Sequence, residues 1–461
     1  MKFFLFLFLF NSFKAIGQIS SIKANNDFDF VINKIKTSYA GYKEKSKIID
    51  LDILIKEINL KKYSDTFEKL SKITLPFNDH HLRLFEDISF DKINKNDCIT
   101  NLALFGNDLS KKKLKKYEGY WINHLNNIII YLKQDSFYGF NGFLVESKKN
   151  IPKGYCILKM AESKNGRYTT DYINILNKVR TFLYSTFKND NSLSCNSYVR
   201  WKKIDNYQND YLSKVSEITK MPSINIDDIN NVVIKMPTFN SNKRKIYDSL
   251  ITANKNFINN SKCLIVDLRN NSGGVINCFY SLLPFVCTKT MMRLEMYQLV
   301  SEDVIEDIRS KRKEVLGEKD TAMLARYEKY LKSFEDIKDS FKFILSDTLI
   351  SCDNKPENNI KNIALIINDR CLSAAEYMIL AFKQSSKVKI FGEYSGGAID
   401  YVDVKEYELP QSKFILWVAR TKRKISKDYP AYDFNGIKPD IEIKLEEAKW
   451  LNFVKKYYEK N

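Results

Sequence analysis

Histidine is scarce: only His80, His81 and His124 occur in 461 residues. Two of them are neighbours, and adjacent side chains rarely point at one ion. The third is far away in sequence, so no metal site is expected and no cofactor is implied. The eight cysteines contain no Cys-x-x-Cys pair, and the chain is too long for a disulfide scaffold. Cys263 falls in an apolar run and reads as core. Export would permit one or two disulfides, with no pairing assigned. Long apolar runs are lacking too. Phe3–Phe10 is unbroken but far short of the roughly 20 residues that span a bilayer, so no stable membrane span is expected. Met1-Lys2 before that run and Ala15-Ile16-Gly17 after it have the anatomy of a secretory signal over residues 1–17. No cysteine follows closely, which argues against a lipid anchor. The expectation is an exported protein, periplasmic or extracellular. The net charge of +18 would suit a nucleic-acid partner. The basic residues are mostly lysines scattered among Asn and Ile, however, with no zinc-finger spacing and no RNP-type aromatic motif. No nucleic-acid partner is expected.

What is present divides the chain in order. A 44% apolar content is ample for real cores, and the length suits two or three domains. Residues 18–115 form a helical region: Leu51, Leu54, Ile55, Ile58, Phe67 and Leu70 recur at helical spacing. The pattern is interrupted by a turn, Leu75 to Leu84, that carries His80 and His81. Residues 116–225 hold short β-type runs such as Ile128–Tyr131 and Phe140–Val145, separated by Gly, Lys and Asn turns. They predict a small antiparallel barrel or sandwich. Residues 226–461 alternate strands with helices, as a parallel α/β sheet does, and its ligand site is expected beyond the strands' C-terminal ends. Lys243–Asn259 reads as one amphipathic helix, and a further helix is expected through Leu283. A charged helical insertion occupies about 300–345. A solvated hairpin or a lid both fit it.

Two stretches of that last segment carry chemistry. Ile363–Ile367 is a short β-branched run broken by Asn368, Asp369 and Arg370, then followed by Ser373-Ala374-Ala375-Glu376 and apolar residues at helical spacing. A strand that turns into a helix brings unpaired N–H groups and the positive dipole end beside the first helical residues. Ser373 there fits a helix N-cap. The cap is the plainer reading of this stretch alone; the sharper one is a nucleophile whose oxyanion is met by backbone donors. The second stretch, Cys263 to Gly274, is another buried strand, ending in Asn271-Ser272-Gly273-Gly274. Paired glycines let backbone approach a ligand closely.

Together these stretches resemble the S41 family of serine peptidases, which includes the C-terminal processing proteases and the tricorn core. Asp267-Leu268-Arg269-Asn270-Asn271-Ser272-Gly273-Gly274 is similar to that family's D-L-R-x-N-x-G-G turn, and Ser373-Ala374-Ala375-Glu376 to its S-A-x-E turn. Gly392-Glu393 with Gly396-Gly397, then Gly436-Ile437-Lys438-Pro439-Asp440, resemble the two segments that close the motif set. The resemblance covers the last half of the chain. It implies an α/β catalytic core of the ClpP/crotonase-like superhelix type, with an N-terminal helical cap and the β domain inserted. It implies serine-type peptidase activity on peptides or unfolded protein segments.

The resemblance also picks a branch. The processing proteases place a base lysine where this chain has Ala398, with Lys405 the next lysine beyond. The tricorn-like branch uses a histidine in a turn that Asp79-His80-His81-Leu82 resembles, which puts the base on His81. Leu82 replaces that turn's hydroxyl residue. A pair of structural loop histidines is the alternative. The branch's third member falls on Asp433, one methylene shorter than the family's Glu. An Asx-type turn before Gly436 is its alternative. The implied site is therefore Ser373, His81 and Asp433, with Gly273 and Ala374 N–H groups as the oxyanion hole. Asn271, Gly274 and Glu376 support it. Two rivals are weighed beside this: a catalytically impaired peptide- or ligand-binding protein on the S41 fold, and a crotonase-like acyl enzyme.

Overall fold

Short β-branched runs ending in polar turns build the centre of the molecule. In the computed structural model, which describes residues 26–63, 65–90, 115–134, 139–147, 151–163, 166–196, 199–205, 207, 211–214, 221–227, 231–318, 321–337, 339–345, 348–352, 359–433 and 435–460, they lie side by side. Strands Asn231–Lys235, Cys263–Asp267, Asn362–Ile367, Val388–Gly392 and Ile441–Glu442 are parallel and adjacent in that order. Ser223–Ile226 caps one edge antiparallel. The period-2 alternation of a strand decides which layer each residue joins. Leu264 and Val266 pack with Tyr247, Met378 and Phe382 on one face. Cys263 and Ile265 pack with Phe391, Trp450 and Val454 of the C-terminal helix on the other. Cover on both faces is why these strands read as continuous apolar runs. The expected helix from Lys243 to Asn259 is broken at Asn254, between Arg244–Ala253 and Lys255–Asn259. The stretch through Leu283 is 3₁₀ over Ile276–Leu282, and a short helix follows over Leu283–Val286 with Pro284 in its first turn. A proline suits that position because no intrahelical acceptor awaits its missing N–H.

The β-type runs of the middle segment form a closed antiparallel ring of eight strands: Gly119–Asn123, Ile128–Gln134, Gly139–Ser147, Cys156–Glu162, Tyr168–Asn174, Val179–Asn189, Ser192–Cys195 and Val199–Ile204. Closure removes the free edges that an open sheet would expose. At eight strands side chains just fill a barrel's interior. Trp121, Trp201, Leu132, Leu144 and Tyr172 form one buried cluster here. The barrel is joined to the rest by a shared strand. Val179–Asn189 also pairs with Arg83–Asp87, which pairs in turn with Ile415–Arg423. The His80-His81 turn immediately precedes Arg83, so its position is set from both sides.

The N-terminal helices Asp27–Ser38, Leu51–Leu60 and Thr66–Thr74 begin at Asn26, Asp50 and Asp65, whose side chains accept the first free N–H groups. Phe30, Val31, Ile35 and Phe67 pack against Leu416, Val418 and Ala419 of the C-terminal hairpin. The insertion is a helical hairpin, Glu302–Glu318 and Thr321–Glu335, with Arg309 and Arg312 reaching Glu335 and Glu328 across it. It is tied down by Asp303, which accepts from Lys34 Nζ, Ser38 Oγ and Tyr407 OH. Cys287 and Cys352 form a disulfide. Among the described residues no helix is long and apolar enough to cross a membrane. The signal-like residues 1–17 and Cys98 lie outside the described residues.

Candidate active site

The polar break after Ile367 becomes a tight turn, and Ser373 caps the buried helix Ala374–Phe382. Its backbone is at φ 54°, ψ −116°, rather than the extended geometry of an ordinary N-cap. Non-glycine residues persist at positive φ only where their surroundings over-determine it. Here Glu376 does so. Its fully buried carboxylate accepts from Ser373 N–H at 2.9 Å, Ala398 N–H at 2.7 Å, Gly397 N–H at 2.8 Å and Ser395 Oγ at 2.6 Å. Burial raises its pKa to about 7, against the pull of those four donors. Glu376 therefore clamps the Ser373 turn to the Ser395–Ala398 loop. That loop is held from the far side by Ile437, whose N–H donates to Ser395 Oγ at 2.7 Å. This is the physical reason that the S-A-x-E, G-G and G-I-x-P-D motifs occur together.

The glycine turn reaches the same place. A Cβ on Gly273 would lie 2.7 Å from Leu372 O and 3.0 Å from both Ser373 Cβ and Ala374 N. Asn271, fully buried, fixes this approach: its Nδ2 donates to Met236 O at 2.8 Å, and its carbonyl accepts from Leu372 N–H at 3.1 Å. Its Oδ1 also takes the Gly273 N–H at 2.9 Å. Gly274 lies against Phe239, where a Cβ would meet the carbonyl oxygen at 2.2 Å. Ala374 N–H, at the first helical position, has no intrahelical acceptor. Asn368 joins the two turns. It accepts from Asn270 N–H at 3.0 Å and donates to Asn270 Oδ1 at 2.9 Å.

Both histidines are buried, and their partners assign their tautomers. A guanidinium can only donate, so the 3.1 Å contact from Arg83 makes His80 Nδ1 an acceptor. The His80 ring also bonds the Gly396 backbone, and burial followed by the charges of Arg83 and His81 holds its pKa well below the usual value. His80 is thus a neutral tie between turn and loop. A carbonyl can only accept, so His81 Nδ1, 2.6 Å from Tyr401 O, carries the proton. Its Nε2 is left with the lone pair. Burial lowers the pKa of His81, opposed by the Asp79 charge. Asp79 also accepts the His81 backbone N–H at 2.7 Å and the Tyr39 hydroxyl at 2.5 Å. Among the described residues no hydrogen bond joins Ser373 to either ring.

Asp433 is placed otherwise than the motif suggests. Its Oδ2 accepts from Lys45 Nζ at 3.0 Å instead of holding His81, because the Tyr42–Lys45 helix packs into that position. Burial, then the neighbouring Asp79, raises its pKa well above the usual value. Lys405 points to Asp307 of the helical insertion, 2.7 Å away. Sequence reasoning missed Asp400 and Arg423, a fully buried pair at 2.5 Å. Asp400 also accepts the N–H groups of Tyr432 at 2.7 Å and Asp433 at 2.9 Å, so it positions that whole turn. Arg423→Leu leaves the Asp400 charge buried without its partner. The expected cost is about 3–5 kcal/mol, read as a lower urea midpoint with an unchanged slope; an unchanged midpoint contradicts it. Among the described residues no cluster of three or more His, Cys, Asp or Glu is arranged to hold a metal.

The model of Peptidase family S41 matches residues 230–443. Mature CPAF complexed with lactacystin superposes with a TM-score of 0.50 at 12% identity, covering 95% of this chain and 97% of that one. A putative peptidase from Parabacteroides merdae ATCC 43184 gives a TM-score of 0.44 at 11% identity, covering 93% and 92%. No curated protein matches in sequence.

Proposed function

We propose, from the match of residues 230–443 to the model of Peptidase family S41, that the chain is an exported serine-type endopeptidase with Ser373 as nucleophile and His81 as general base. The observation that carries the reading is Ser373 itself, held at positive φ on a strand-to-helix turn with Gly273 pressed against it. Ser373 Oγ attacks the peptide carbonyl while its proton passes to His81 Nε2. The carbonyl π electrons move onto oxygen. The tetrahedral intermediate collapses with cleavage of the C–N bond, and His81 returns the proton to the leaving amine. Water, deprotonated by the same nitrogen, then cleaves the acyl ester. The two side chains are not hydrogen-bonded to each other as they lie. Contacts of this kind tighten in the Michaelis complex, and that closure is part of the proposal. Ala374 N–H is the donor ready for the oxyanion. Gly273 N–H joins it by leaving Asn271 Oδ1. Tyr401 O orients His81, and Asp79 fixes its backbone. Asp433 and Lys45 act on this turn at one remove. Peptides or unfolded segments lying along a strand edge are the substrates that suit such a site, and the signal-like N-terminus supports export.

The base assignment makes a prediction in pH. Burial lowers the His81 pKa from 6.5, so the imidazole stays neutral into mildly acidic solution. The acid limb of kcat/KM is expected to have its midpoint below 6.5, and His81→Ala to lower kcat/KM by about 10²–10⁴-fold. Cleavage of a peptide library across pH reads both. Full activity in His81→Ala would remove His81 from the mechanism.

A further inference from the structure

Where the barrel meets the C-terminal ends of the parallel strands, a cavity of about 380 Å³ opens. Carboxyl ends of strands are where open α/β sheets take ligands. His124, Arg200 and Lys202 enter it from the barrel; Lys235, Arg269 and Arg370 enter it from the core. Carboxylates share the site: Asp267 and Glu447 line the cavity, and Asp369 and Glu393 flank it. Asp267 takes Arg269 in a two-point contact. Asp369, Glu393 and Glu447 surround Arg200. Three cations remain. Lys202 is exposed and Lys235 half-buried, and neither side chain has a hydrogen bond or ion pair among the described residues. Arg370 is the informative one: it is 8% exposed, its Nε is buried without an acceptor, and among the described residues its guanidinium forms no hydrogen bond or ion pair. The charges of Glu447, Asp369 and Glu393 act on it without bonding it, so its donors stay open where it lines the cavity.

We propose that this cavity is a binding site for a small phosphate-bearing molecule, whose tetrahedral oxyanion is held by Arg370, Lys202 and Lys235. Neither Ser373 nor His81 is among the residues that line it. Three cationic donor groups exceed what one carboxylate needs and suit an oxyanion with three acceptor oxygens. The volume lies in the range of about 300–1,000 Å³ typical of small-molecule pockets, which leaves room for more than the phosphate. Its lining comes from two parts of the fold, so an occupant would bridge barrel and core.

The test is calorimetric titration of the full chain with inorganic phosphate at constant ionic strength. Binding should saturate. Lys202→Ala and Lys235→Ala, both at solvent-accessible positions, should each weaken it by at least about tenfold, and Arg370→Gln should abolish it. Proton NMR gives a second readout. The chain has only three histidines, and the His124 ring signals should move while those of His80 and His81 stay. No saturable heat, or wild-type affinity in both lysine variants, overturns the site. Acetate binding as tightly as phosphate overturns the assignment of the ligand. Binding requires no peptide cleavage, so this result and the fate of Ser373 are read separately.

Discussion

Ser373→Ala is expected to lower kcat/KM for peptide cleavage on the order of 10⁴–10⁶-fold, and to abolish labelling by a fluorophosphonate. The substitution removes only the hydroxyl. The turn is clamped through the Ser373 backbone N–H, which donates to Glu376. That bond survives in alanine, so the helix start and the Ser395–Ala398 loop keep their places. Loss of the cap hydroxyl costs about 1 kcal/mol at most sites, too little to explain a loss of activity by unfolding. Far-UV circular dichroism and the thermal midpoint, measured beside the kinetics, separate the two effects. Labelling that persists in Ser373→Ala would place the nucleophile elsewhere. Labelling absent from both proteins would mean that the turn is built but not activated.

Gly273→Ala is expected to lower both activity and stability, for a different reason. Gly273 sits at φ 91°, where an L side chain is strained. The new methyl would also meet backbone on both sides of the nucleophile: Leu372 O at 2.7 Å and Ala374 N at 3.0 Å. These are not the mobile ends of side chains. Either the glycine turn or the Ser373 turn must move. Strain of this kind costs about 1–3 kcal/mol, and losing one oxyanion donor lowers the rate by about 10²–10³-fold. A urea melt and kcat/KM on the same preparation measure the two losses. Wild-type kinetics in Gly273→Ala would show that this turn takes no part in the site.

Much of the site was legible because its constraints are local. A strand, a polar turn and Ser-x-x-Glu at a helix start lie within 15 residues of one another (Ile363 to Tyr377). Glu376 reads in sequence as a supporting residue three positions after Ser373, and in the structure it takes the N–H groups of Ser373, Gly397 and Ala398. The barrel's strands were visible as runs. Their closure was not, because the pairing of Val179–Asn189 with both Ser192–Cys195 and Arg83–Asp87 joins distant segments. Asp433 shows the limit most clearly. Its position in the motif says nothing of Lys45, which comes from a helix 388 residues earlier.

The linear order of residues determined the two parallel strands with their Gly-Gly and Ser373 turns, the helical insertion, and the candidate pair Ser373 and His81, since each depends on side chains close together along the chain. Only tertiary packing decided which histidine nitrogen keeps its lone pair. The partner of His81 is the carbonyl of Tyr401, a backbone group that every residue carries and no residue type announces. Packing likewise decided that Arg370 is buried beside a cavity with its Nε lacking an acceptor among the described residues: a cation's solvation depends on what folds over it, which its neighbours in sequence do not reveal.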